Sequence, residues 1–177
     1  MKSLRILVLA GLLTACDEAT IITHVDKLSH MSMNSLVTIQ GAQGIAVEIH
    51  GAPFPGIDDT AIAAAMRPPA GASQGIRFHA VEPGTWSAHD GWRLVLHFNP
   101  DGPPHSVHDC KLEAEAKTAG RPAQGYSVNA TFCNGADWQA HGFLKAPKAA
   151  QDDPGLFADH MVQLMQAIFQ ENSDPDR

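Results

Sequence analysis

What this chain lacks narrows the field first. No apolar run approaches the ~20 residues that a bilayer-spanning helix requires; the run from Ile6 to Leu13 stops well short. Cations are scarce, with 12 Lys and Arg against 19 Asp and Glu and no two of them adjacent. That excludes the clustered positive charge on which non-specific nucleic-acid and anionic-lipid binding depend. A phosphate-binding glycine loop, a dinucleotide fingerprint, a zinc-finger spacing, a basic-aromatic patch and an internal repeat are all missing. Cysteine is limited to three residues, too few for a disulfide-built mini-scaffold.

What is present begins with the amino terminus. Lys2 and Arg5 form a charged head, Ile6 to Leu13 an apolar core, and Thr14 and Ala15 a pair of small residues. That order is the order of a secretory leader, so residues 1–15 are expected to be a signal peptide. Leu13-Thr14-Ala15-Cys16 resembles the lipobox of bacterial lipoprotein signals, a resemblance confined to the first sixteen residues. It implies cleavage before Cys16, a diacylglyceryl group on the thiol and an acyl chain on the new amino terminus, with no other cofactor. One acyl chain binds a membrane only marginally at ~0.8 kcal/mol per methylene, and two or three give stable anchoring. Asp17 resembles the signal that retains such proteins in the inner membrane of enteric bacteria. The alternative is an ordinary secreted protein cut near Ala15, leaving Cys16 as a stray thiol. Cleavage removes two cations and no acids, which takes the formal charge from −7 to −9.

Cys110 and Cys133 remain as one pair, and an exported chain meets conditions that permit a disulfide. Ala119-Gly120-Arg121-Pro122 lies midway between them as a turn signal, so a hairpin would bring the two opposite each other. Residues 16–34 have mixed polarity without a sustained period and are expected to be the lipidated cysteine and a tether. Residues 35–170 suffice for a single domain with its own core, and residues 171–177 are expected to fray.

Within that domain the pattern alternates between strand and helix signals. Leu36 to Ile39 and Ile45 to His50, with Gly41 and Gly44 between them, predict a hairpin. Asp58-Asp59 caps a short helix over Thr60 to Met66, stopped by Pro68-Pro69. Ile76 to Val81 and Trp92 to Phe98 read as a second strand pair, each with one apolar face. Cys110 to Lys117, Tyr126 to Phe132 and Trp138 to Leu144 alternate as a three-stranded meander with a turn at Asn134-Gly135. Facing Cys110 with Cys133 conflicts with the apolar parity of the partner strand, which predicts a bulge near Gly125 or at Cys133. Finally, Asp153 caps and Pro154 opens a long helix whose Phe157, Met161, Leu164, Met165, Ile168 and Phe169 recur every three or four residues. The sum is an α+β fold in two layers: a mainly antiparallel sheet with a short early helix and a long carboxy-terminal helix on one face.

Residues that could carry chemistry are few. Gly71-Ala72-Ser73-Gln74-Gly75 matches the hydrolase nucleophile elbow, but a helix precedes it and a strand follows, the reverse of what the elbow needs. His30, Met33, His105 and His108 are candidate metal ligands by chemistry, although their spacing matches no recognised site. His50, His79, His97 and His141 all fall opposite the apolar residues of their strands. They are expected on the face the helices leave bare, where neighbouring imidazoles would form a pH-sensitive docking face whose charge rises as pH falls from about 7 to about 5. Glu113 and Glu115 alternate with lysines as solvated surface, and His160 borders the apolar stripe of the last helix.

The expectation is therefore a lipid-anchored domain on the periplasmic side of a bacterial envelope, inner membrane favoured by Asp17. It would serve as a non-catalytic binding or assembly module whose partners are the bilayer and another envelope protein, and not nucleic acid. The alternatives are a metal or small-ligand carrier using the His and Met residues, and, further off, a hydrolase.

Overall fold

The computed structural model describes residues 20–28, 33–39, 44–68, 75–85, 91–102, 109–111, 118, 125–147 and 153–169. The signal peptide, Cys16, Asp17 and the tail 171–177 lie outside the described residues, as does the Ser73 motif except Gly75. Six strands form one sheet: β1 (Ile21–Lys27), β2 (Ile45–His50), β3 (Phe78–Val81), β4 (Trp92–Phe98), β5 (Tyr126–Asn134) and β6 (Asp137–Ala146). Three α-helices accompany them, α1 (Met33–Ile39), α2 (Asp59–Ala65) and α3 (Pro154–Phe169), with a 3-10 turn at Asp109–Lys111. Strand order across the sheet is β1-β6-β5-β4-β2-β3. The pairs β1/β6, β6/β5 and β5/β4 are antiparallel, whereas β2 runs parallel to both β4 and β3. The α+β class with a mostly antiparallel sheet is therefore as expected.

Helical caps follow the sequence closely. The Asp58 carboxylate accepts from the Ala61 N–H at 2.7 Å, and Asp153 Oδ1 accepts from the Gly155 and Leu156 N–H groups at 2.9 and 3.0 Å. Each satisfies donors that a helix start leaves without an intrahelical partner. α3 buries Phe157, Met161, Leu164, Met165, Ile168 and Phe169, the expected stripe, and adds His160. This stripe joins Ile62 and Ala63 of α2, Leu36 of α1 and the inward residues of β2, β4, β5 and β6 in one core. At the crossing of α3 over β6, a Cβ on Gly142 would come within 3.0 Å of Ile168 Cγ1 and 3.3 Å of Leu164 Cδ1, so any side chain there requires these two to shift.

Four local expectations need correction. Ile21–Lys27, placed in the tether, is an edge strand paired with β6, and Ile22 packs against the core. Its alternation is hidden by an irregularity between Thr23 and Asp26. Leu36 to Ile39 belongs to a helix and not to a hairpin strand: β2 has both edges occupied by β3 and β4, and Leu36 and Ile39, three apart, turn to the core instead. Ile76 to Val81 and Trp92 to Phe98 do not pair with each other, because β2 lies between β3 and β4. Cys110 sits in the 3-10 turn, and β4 occupies the place beside β5 that the meander assigned to Cys110 to Lys117; residues 112–117 lie outside the described residues.

The disulfide is present, and a bulge lies at Cys133, though in the pairing of β5 with β6 and not with the Cys110 strand for which it was expected. Cys110 and Cys133 are bonded, joining the 3-10 turn to β5. The register shift falls between Phe132 and Cys133 against β6, with Gln139 as the extra residue: Phe132 faces Ala140 while Cys133 faces Trp138. Because of it Trp138 and Ala140, two positions apart, fall on opposite faces: Trp138 lies with Val95 and the disulfide, Ala140 and Leu144 in the main core.

Candidate functional site

The sheet face away from α3 is a buried polar layer. Register aligns its side chains in rows across strands: His50 beside His97 beside Asn129, and Glu48 beside Val95 beside Thr131 beside His141. One step further, Arg93 lies beside Cys133. Glu48, His50, Arg93, Asn129, Thr131 and His141 are each no more than 3% exposed, and His97 is 6% exposed. The four histidines expected on a bare, wet face thus separate. All four share the expected face by register, but His50, His97 and His141 are buried there, whereas His79 on edge strand β3 is half-buried.

Burial of this many polar groups requires partners, and Arg93 makes three hydrogen bonds within the layer. Its Nε donates to Glu48 Oε2 at 2.8 Å, Nη1 to the Gly135 carbonyl at 2.8 Å and Nη2 to the Cys110 carbonyl at 2.7 Å. One guanidinium therefore ties β4 to β2, to the β5–β6 turn and to the 3-10 turn that carries the disulfide. Glu48 Oε1 accepts in turn from His50 Nε2 at 2.9 Å and from the Gly84 N–H at 3.3 Å. Burial by itself would raise the Glu48 carboxyl, but the His50 hydrogen bond, the Arg93 charge and the Gly84 N–H together hold it below the usual carboxylate range. An ionised carboxylate can only accept, so His50 carries its proton on Nε2.

A second polar group lies beside this one. Asp109 Oδ2 accepts from the Thr131 hydroxyl at 3.1 Å, and Asp109 Oδ1 stands 3.7 Å from His97 Nδ1. The His97 and His50 rings meet edge to face with centroids 6.0 Å apart. His50 Nδ1 and both amide atoms of Asn129 are buried without a hydrogen-bond partner. At the β1 edge, His141 Nδ1 is 3.9 Å from Asp26 Oδ2 and its ring packs against Trp138.

On the opposite face a third polar contact crosses the helix layer. His160 of α3 bonds the Tyr126 hydroxyl through Nδ1 at 3.0 Å and the Thr20 hydroxyl through Nε2 at 2.7 Å. Burial lowers the His160 pKa, with Asp159 opposing weakly, and burial pushes the Tyr126 phenol above its ordinary range. Thr20 precedes β1, so this contact fastens the start of the sheet to α3.

These geometries do structural work: they hold charges in place and join non-adjacent segments. Among the described residues no group of three His, Cys, Asp or Glu could hold a metal ion. His30, His105 and His108 lie outside the described residues, and Met33 begins α1 with its side chain outside them. The Glu48–Arg93 pair is not apparent from the sequence; an acid and a base at alternate, apolar-flanked positions of strands β2 and β4 are the only signal of it there.

No protein-family model matches the chain, and no curated protein matches it. Among solved structures it is similar to a single-substitution variant of the PelC dodecamer from Paraburkholderia phytofirmans, at 7% identity and a TM-score of 0.41, covering 85% of this chain and 98% of that one. A likeness of that size carries no argument about this chain.

Proposed function

We propose that this chain is a lipid-anchored protein of the bacterial envelope whose domain, on the periplasmic side, acts as a non-catalytic binding or assembly module. The observation that carries this reading is Leu13-Thr14-Ala15-Cys16 following a charged head and an apolar core. The Cys110–Cys133 disulfide supports it, since such bonds persist in oxidising compartments and are rare in the cytosol. The acidic balance points away from nucleic acid and toward a protein partner.

Mass spectrometry of the natural product tests the anchor. The expected result is a chain beginning at Cys16 with a diacylglyceryl thioether and an amide-linked acyl chain, lost in Cys16→Ala. An intact leader or an unmodified thiol would overturn it. The module is tested by crosslinking in intact envelopes, where one envelope protein should be recovered repeatedly. Turnover of an ester, peptide or glycan that a single substitution in the domain abolishes would overturn the non-catalytic reading.

A further inference from the structure

We infer that the β1 edge of the sheet rests against the bilayer surface, with the β3 edge turned to the aqueous side. The inference rests on the lipid attachment proposed at Cys16 and adds an orientation to it. Thr20 is bonded to His160, and β1 begins at Ile21, so the domain is fastened to its own chain only four residues after Cys16. Four residues extend at most about 14 Å. Six strands, by contrast, span about 24 Å from the first to the last at their ordinary spacing. The start of β1 therefore stays within about 14 Å of the anchored residue, whereas β3, at the other edge, can lie further out.

The chemistry of β1 fits that position. Exposed large hydrophobic side chains among the described residues are Ile21 at 51%, Val25 at 38% and Val37 at 41%, so two of the three are on the strand next to the anchor. Ile21 pairs with Lys145 and Thr23 with Phe143, which places them on the sheet face away from α3. Lys145 beside Ile21 is exposed and can extend its ammonium to headgroup phosphates while its methylenes lie along the apolar surface. Asp26 on the same strand and the overall acidic charge oppose attraction to anionic lipid. The partner surface is thus a zwitterionic bilayer at headgroup depth, held by the leash and two aliphatic side chains, not by charge.

The test uses the chain from Cys16 onward, which contains every described element, coupled through that thiol to a maleimide lipid in phosphatidylcholine vesicles. Orientation is then measured whether or not natural acylation occurs, and the mass spectrum above tests acylation separately. Fluorophores on clickable amino acids at positions 23 and 82 are read against a headgroup-spin-labelled lipid. Quenching should be several-fold stronger at 23 than at 82. A Gly-Ser insert of about 20 residues after Asp17, with a root-mean-square span of about 25 Å, should shrink that difference while the protein still sediments with the vesicles. Ile21→Ser with Val25→Ser should reduce quenching at 23 without changing the thermal melt. Equal quenching at the two positions with the native leash, or a difference that neither the insert nor the two substitutions reduces, overturns the inference.

Discussion

At the scale of single residues, Arg93 is the group on which the polar layer depends. It holds one carboxylate and two backbone carbonyls from three separate segments, all buried. Arg93→Met preserves the stem but leaves the Glu48 charge unpaired at 1% exposure. Breaking a buried ion pair from one side costs ~3–5 kcal/mol, so the urea midpoint should fall steeply, and a shift under ~1 kcal/mol would show that the pair does not organise the face. His160 gives a distinct signature in pH. Its folded pKa is lowered by burial, so the unfolded chain binds the proton more readily. The stability it contributes is complete above the unfolded value of about 6.5 and declines as pH falls through that value toward the folded one. Urea midpoints at pH 7.5 and 5 should therefore differ more for the native chain than for His160→Gln; equal differences would refute the assignment. Glu48 has a lowered folded pKa and follows the carboxylate rule. Its contribution is present above the unfolded value of about 4.3 and is lost only below it, outside the His160 window.

At the scale of elements, the crossing of α3 over β6 is set by one missing side chain. Gly142→Val adds methyl groups beyond a Cβ that is itself only 3.0 Å from Ile168 and 3.3 Å from Leu164. Overpacking of this sort costs ~1–3 kcal/mol, and the helix must lift along its buried stripe. Thermal denaturation should show the loss, and the smaller Gly142→Ala should lose less. α3 is legible in the sequence almost residue by residue, because its cap, its opening proline and its 3.6 period are all local. β4, β5 and most of β6 are legible in the same way, through strict alternation. The neighbours of β2 are not. Parallel pairing to β3 and β4 is decided by partners far along the chain, and a strand whose residues are all buried shows the same alternation as one with a wet side. For the histidine face, parity is legible and exposure is not. The 3-10 turn, the disulfide and Arg93 close over that face from positions no local pattern connects to it. β1 is illegible because its irregularity between Thr23 and Asp26 breaks the period of two within seven residues.

At the scale of the molecule, three devices join the segment around Cys110 to the sheet: the disulfide to β5, the Arg93 hydrogen bond to the Cys110 carbonyl and the Thr131 hydroxyl bond to Asp109. The bond closes a loop of sequence separation 23, for which the chain-entropy account gives a stabilisation of ~3 kcal/mol. Cys110→Ala with Cys133→Ala should lower the unfolding free energy by about 2–4 kcal/mol and leave the far-ultraviolet spectrum of the sheet intact. If the spectrum collapses instead, the sheet does not hold its register without the covalent link. Reductant should reproduce the effect on the native chain, tying its stability to an oxidising setting.

The surplus residue in β6 carries a consequence for insertion and deletion. Losing one position from a central strand ordinarily turns every later side chain inside out. Here Gln139 is the supernumerary position, and without it Cys133 still meets Trp138 and Phe132 still meets Ala140. A chain one residue shorter at 139 would run as an unbroken ladder between β5 and β6 with both faces intact, at the loss of the Gln139 carbonyl that accepts from the Leu28 N–H.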